Sequence, residues 1–336
     1  MPKRNGGYIG SDRIPAGPFE DGAASGVWVL PAQLQATAAG IWPRAGNKLQ
    51  RGLFAGGTSG SYSNVIQFVN ISSSGNSSDF GDLTQARWGH VGFSSSTRGV
   101  FAGGYTGAYA NTIDYVTISS AGNATDFGDL LYAPYGAAGL SNSTHGLTMG
   151  GRATSPVSTV NSTTIATTGN ATNFGNLIAA NTAAAGCASP TRGLFGGGDS
   201  SITNAISYTT IASTGSWTDF GDLAVPNSFL SALSSNTRGV FGGGAENGST
   251  ATNVIQYVTI ATTGNTTDFG DLLNKTFSLS ATSNSVTGIF AGGSVPSSIN
   301  VIQYITIAST GNAVDFGDLL TVNTDMAACS NAHGGL

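Results

Sequence analysis

The sequence predicts an all-β chain in which six copies of a four-stranded repeat form the blades of a closed propeller, behind an N-terminal arm. Three observations carry that expectation. A Gly-Gly pair recurs with its second glycine at Gly57, Gly104, Gly151, Gly198, Gly244 and Gly293, giving spacings of 47, 47, 47, 46 and 49 residues. Propeller blades run to roughly 40–50 residues, so the period fits. The residue choice favours strands and turns, being rich in Thr, Ser, Val and Ile with only two glutamates, Glu20 and Glu246. Finally, the same four pieces recur in the same order inside each unit.

The first piece is small and weakly alternating, as in Gly136-Ala137-Ala138-Gly139-Leu140. The second is a short apolar run ending in glycines, as in Gly239-Val240-Phe241-Gly242-Gly243-Gly244. The third, Asn253 to Ile260, places Ile255, Tyr257 and Thr259 on one face and Val254, Gln256, Val258 and Ile260 on the other. Both faces are partly apolar, as a strand packed between neighbouring sheets requires. The fourth runs from Gly264 through Asp268-Phe269-Gly270-Asp271-Leu272 and is expected as a turn followed by a short strand. Its Gly-Asn pair suits the positive φ angles of a tight hairpin. Its phenylalanine recurs as Phe80, Phe127, Phe174, Phe220, Phe269 and Phe316, which reads as core between blades.

The ends of the repeat region set the blade count. The first copy starts at Arg51-Gly52-Leu53 without a small-residue first strand, and the run from Met326 to Leu336 supplies one. The C-terminal strand is therefore expected to complete the sheet begun at Gly52, leaving no open edge. Residues 49–336 are assigned to the propeller and residues 1–48 to the arm.

A small-residue strand, an apolar strand ending in Gly-Gly, a strand with a central Tyr and a final aromatic strand together resemble the kelch repeat. The resemblance covers about residues 50–336. It departs where kelch units carry Trp, since the Phe of Asp-Phe-Gly-Asp-Leu stands there.

Within the arm, Pro and Gly punctuate the first 25 residues, so extended structure is expected. Pro31 then suits a helix start, Ala32 to Ala39 favours helix and Gly40 suits the stop. A helix of two to three turns is not stable alone in water. With Trp28, Leu30, Leu34, Ile41, Trp42 and Pro43 around it, the segment needs an apolar surface, either the propeller's own face or a partner. The Gly-Val-Trp, the Gln/Ala helix and the Gly-x-Trp-Pro over residues 25–43 resemble a segment of structural proteins in marine tailed phages, cyanophages among them. That resemblance implies a virion component anchored to other virion proteins, in tail or capsid, through those six residues.

The remaining composition excludes several classes. Charged residues are only 9% of the chain and the net charge is −5, with no basic footprint for nucleic acid. No segment reaches the length of a membrane span, and the N-terminus has no apolar core of a signal peptide. The protein is thus expected to be made in the host cytoplasm without a secretion signal and to end in the virion. Cys187 and Cys329 lack metal-ligand spacing and read as small buried core thiols.

No enzyme, metal or cofactor is expected. Asp-Phe-Gly-Asp-Leu resembles part of the Asp-box turn of sialidase-like propellers, but two tuned carboxylates are not evident, leaving a glycoside hydrolase as a distant third reading. The third repeat replaces both aspartates with Asn173 and Asn176, keeping shape and discarding charge. That substitution suits turn capping and argues against acids, bases or calcium ligands. Arg51, Arg98, Arg192 and Arg238 precede the second strands, with His145 and Thr287 in the other two copies. They read as solvated loop residues or local partners of Asp. His90, His145 and His333 are far apart in sequence, and a metal site would need them to converge. The loops between second and third strands carry Tyr62, Tyr105 and Tyr109 amid Ser, Gly and Asn, a composition of recognition loops. These tyrosines are the candidate glycan- or receptor-binding residues, against the alternative of ordinary exposed loop tyrosines. Two functions therefore stand: a tail fibre, spike or head fibre whose propeller binds host surface glycan, or a purely structural capsid decoration or tail adaptor.

Overall fold

The apolar runs ending in Gly-Gly form the second strand of each sheet because they are central in it, paired on both sides and buried. In a computed structural model that describes residues 50–336, these runs are Arg51–Ala55, Arg98–Ala102, His145–Met149, Arg192–Gly196, Arg238–Gly242 and Thr287–Ala291. Each pairs antiparallel with a small-residue first strand: Ala327–Ser330, Val91–Ser94, Ala138–Ser141, Ala185–Ala188, Ser231–Ser234 and Ser280–Ser283 respectively. Third and fourth strands follow in the same order, giving five four-stranded sheets and a sixth enlarged by the short strand Ser294–Val295. A small sheet of Asn227–Ser228, Ala245–Glu246 and Thr250–Ala251 stands beside them. The chain is all-β among the described residues, with a propeller-like sheet architecture. Residues Gln50–Leu336 form one compact unit, divided from Met1–Leu49. The expected helix and anchor, Trp28, Leu30, Leu34, Ile41, Trp42 and Pro43, lie outside the described residues.

The C-terminal strand pairs where the sequence requires it. Ala327–Ser330 runs antiparallel to Arg51–Ala55, with Leu53 opposite Cys329 and Ala55 opposite Ala327. First strands of successive sheets also contact one another, and the small residues explain how closely. A Cβ on Gly139 would lie 2.9 Å from the carbonyl oxygen of Gly92, and one on Gly186 2.8 Å from that of Gly139. Serine hydroxyls then bridge sheet to sheet. Ser94 donates to the Ser330 carbonyl, Ser141 to Ser94, Ser234 to Ala188, Ser283 to Ser234 and Ser330 to Ser283, over 2.5–2.9 Å. Five of six sheets thus use the same bond; the sixth has Ala188 where the hydroxyl would be.

The fourth piece of the repeat is the short strand expected, but its aspartates have another role. Asp-Phe-Gly-Asp is itself strand, as in Thr267–Asp271, so its aspartates do not cap a turn. A bulge falls at the same place in each sheet, for example between Ile255 and Gln256, and leaves the Phe out of the ladder. Freed from pairing, the six phenylalanines turn into the space between sheets and are 2–4% exposed, as expected for core. The Gly-Asn pair is corrected too. Its asparagines are not in the left-handed region. Instead Asn123 Oδ1 accepts from the Asp82 amide of the preceding sheet at 3.1 Å, and Asn312 does the same for Asp271. The motif glycines allow that approach: Gly81 has φ +146°, and a Cβ there would sit 2.5 Å from the backbone of Gly122.

The arginines are neither loop residues nor partners of Asp. Each opens a second strand and reaches the next sheet. Arg51, Arg98, Arg192 and Arg238 donate from Nη1 to the carbonyls of Ile118, Ile165, Ile260 and Ile307 at 2.8–2.9 Å. Their guanidinium groups lie 4.2–4.7 Å from the ring centres of Phe68, Tyr115, Tyr208 and Tyr257. The reason is geometric: in these four repeats the carbonyl one residue past the third strand faces the adjoining sheet. Among the described residues, no helix is long and apolar enough to cross a membrane.

Candidate functional site

The crossovers that lead from each fourth strand to the next sheet hold one residue in the left-handed region at the same repeat position. These are Gly89, Gly136, Ala183, Phe229, Ser278 and Asp325, with φ between +54° and +63°. Their backbones are linked head to tail. Gly136 donates to Gly89, Ala183 to Gly136, Phe229 to Ala183, Ser278 to Phe229, Asp325 to Ser278 and Gly89 back to Asp325, all at 2.7–3.0 Å. Six amides and six carbonyls are satisfied in one cycle. Left-handed backbone lets each amide and carbonyl point along the cycle, which is why non-glycine residues also adopt it here.

Side chains divide this cycle into unlike halves. Gly89, Gly136 and Ala183 carry almost nothing, whereas Phe229, Ser278 and Asp325 project side chains beside a cavity of about 140 Å³. Trp88, Tyr135, Arg152 and Asp199 also line it. Trp88 and Tyr135 occupy equivalent crossover positions, one residue before Gly89 and Gly136. The Trp88 backbone pairs with Tyr105, and that of Tyr135 with Arg152, so loops between second and third strands are tied to the crossovers.

Those ties assemble the aromatic residues. Tyr105 lies 6.1 Å from Tyr62, 5.7 Å from Tyr109 and 6.0 Å from Trp88, ring centre to ring centre and edge to face. Trp88 and Tyr135 are 5.4 Å apart, and Tyr109 stacks on Tyr135 with planes 6° apart. Such pairs add about 0.5–1.5 kcal/mol each beyond burial, so the cluster is pre-set. Tyr62 and Tyr109 remain 42% and 40% exposed, leaving aromatic surface for a ligand. The structure thus brings together the three loop tyrosines singled out from sequence. It adds Trp88, Tyr135, Arg152, Asp199, Phe229 and Asp325, which single-repeat inspection misses. Alignment of the six crossovers, where bulky and tiny residues exchange, is the signal that finds Trp88, Tyr135, Phe229 and Asp325, whereas Arg152 and Asp199 lie in the loops between second and third strands.

One arginine and two aspartates line the cavity. Arg152 and Asp199 line it without side-chain partners among the described residues. Burial raises the Asp325 carboxyl above its ordinary value, offset by hydrogen bonds from Ser278 and Thr324. His90 lies under the cavity wall, buried, and its ring nitrogens have no hydrogen-bond partner. Burial first, and the Arg87 charge second, hold its pKa well below 6.5, so it is neutral.

The other candidates do not assemble into chemistry. His145 opens a second strand and bonds Thr144, while His333 Nε2 lies 3.0 Å from the Ser94 carbonyl and 3.2 Å from Ser141 Oγ. No group of three metal-ligating side chains occurs among the described residues. Cys187 and Cys329 are free and buried, their thiols pushed up to about 12 by burial. Neither a family model nor a curated protein matches this chain.

Proposed function

We propose that residues 50–336 form a closed six-bladed kelch-like propeller carried on a phage tail fibre, spike or head fibre, and that its crossover face binds host surface glycan. The observation that carries binding is the aromatic cluster of Tyr62, Tyr105, Tyr109, Trp88 and Tyr135 beside an open cavity. Sugar rings present apolar C–H faces and a rim of hydroxyls. Fixed aromatic rings receive the faces at small entropy cost, and loop hydroxyls receive the rim. The closed ring is supported by the pairing of Ala327–Ser330 with Arg51–Ala55 and by the head-to-tail amide cycle. The virion setting rests on the resemblance of residues 25–43 to phage structural proteins, with Trp28, Leu30, Leu34, Ile41, Trp42 and Pro43 as the anchor.

Two measurements test this reading. Residues 1–48 fused to an unrelated protein should load onto particles, and the Tyr62→Ala/Tyr109→Ala double variant should lose tenfold or more in adsorption to host cells. Particles that carry the double variant and adsorb normally would overturn the receptor role, leaving a purely structural virion part.

A further inference from the structure

The glycan reading leaves open which part of the face holds a sugar and of what kind. Exposed tyrosines at the rim can follow a chain, but the cavity inside them is built for one group. Its lining includes three aromatic residues, and in the cyclic order of the crossovers Phe229 stands three places from Gly89, the neighbour of Trp88. Phe229 is the informative residue. The amide cycle sets φ +54° at Phe229 as it does at Ser278 and Asp325, and 37% of the Phe229 surface stays exposed. At the two equivalent positions behind Trp88 and Tyr135 the chain uses glycine. The Phe229 ring meets Phe277 edge to face at 6.4 Å and leaves the rest of its surface free beside the cavity.

The polar groups point to the ligand's charge. The Arg152 guanidinium offers N–H donors and the Asp199 carboxyl offers acceptor oxygens. A vicinal diol both donates and accepts, so it can use the two together. An acidic sugar would meet the Asp199 carboxyl in the same lining as Arg152, without an uncompensated cation to hold it.

Resting on the glycan reading above, we propose that this cavity takes a single neutral pyranose at the end of the host glycan. The sugar is held between the Phe229 ring and the Trp88–Tyr135 pair, with its hydroxyls on Arg152 and Asp199. The rim tyrosines then hold the units that follow it.

The test uses the full chain on an array of oligosaccharides ending in neutral hexoses, uronic acids or sialic acids. Phe229→Gly is the first variant, because glycine suits φ +54° and removes the ring without straining the backbone. Arg152→Ala is the second. The proposal expects wild-type binding confined to neutral termini, and at least a tenfold loss in both variants with melting temperature retained. Wild-type binding that both variants keep would overturn the cavity assignment while the glycan reading stands. Preference for acidic termini would overturn the neutral-sugar assignment in the same way. No binding of any glycan by the wild-type chain would overturn both readings together.

Discussion

The backbone N–H of Gly89 donates to the carbonyl of Asp325 at 3.0 Å, joining the first crossover of the chain to the last. It is the bond that returns the six-membered amide cycle to its start. The Ser94 hydroxyl makes a parallel link to the Ser330 carbonyl, and Arg51–Ala55 pairs with Ala327–Ser330. Deleting residues 325–336 removes all three at once and leaves the edge of Arg51–Ala55 unpaired. The truncated protein should aggregate and melt well below the full chain, since an open strand edge templates association. Light scattering and calorimetry check this; a monomer with unchanged melting would contradict closure.

The missing hydroxyl at Ala188 gives a gain-of-stability prediction. Serine at that position would donate to the Ser141 carbonyl, as the five equivalent serines do toward their neighbours. A net intramolecular hydrogen bond contributes about 0.5–1.5 kcal/mol. Ala188→Ser should therefore raise the melting temperature by roughly 1–4 °C in a domain of this size. A fall in melting temperature would show that the site has no room for the hydroxyl.

Arg87 and Asp114 form a fully buried pair, Nη2 to Oδ2 at 2.8 Å, with both side chains 0% exposed. Arg87 also donates to the carbonyls of Phe101 and Thr112, and Asp114 accepts from Thr84. Other repeats place Asn at the Arg87 position, at Asn181, Asn227 and Asn323, and Gln at the Asp114 position, at Gln67, Gln256 and Gln303. Gln256 and Gln303 make the equivalent bond to the preceding sheet without charge. Arg87→Asn alone strands a buried carboxylate and should cost about 3–5 kcal/mol. Adding Asp114→Gln should recover most of that loss in chemical denaturation, and a double variant no better than the single would refute the argument.

The depressed pKa of His90 makes stability depend on pH with a defined sign. The folded protein keeps the ring neutral, whereas the unfolded chain takes up a proton as pH falls below 6.5. Its contribution is complete above 6.5 and is lost as pH falls from there toward the folded value. His333 is shifted downward as well, chiefly by burial, so it acts in the same direction. His90→Leu, the residue found at Leu230 and Leu279, should shrink the drop in melting temperature between pH 7.5 and 5. His333 should preserve the remainder. Equal drops in wild type and variant would remove His90 from the account.

Much of this architecture is local, and the sequence by itself determined it. The period of the Gly-Gly pairs, the alternation of residues 253–260 and the recurring Phe define strand, order and core, because each depends on a few neighbouring residues. The C-terminal strand that pairs with Arg51–Ala55 was legible for the same reason, as a repeat piece absent at one end and present at the other. Roles that depend on a neighbouring sheet were not legible. The arginines looked like loop residues because the Ile carbonyls they bond lie 67–69 positions away. The Gly-Asn pair looked like a hairpin because its bond to the preceding Asp amide crosses between sheets. The cavity shows the division most plainly. Tyr62, Tyr105 and Tyr109 could be picked out by loop composition, but Trp88, Tyr135, Arg152, Asp199, Phe229 and Asp325 come from successive repeats. Only the tertiary structure, by turning six equivalent crossovers toward one another and closing their amides into a cycle, placed those side chains around one space.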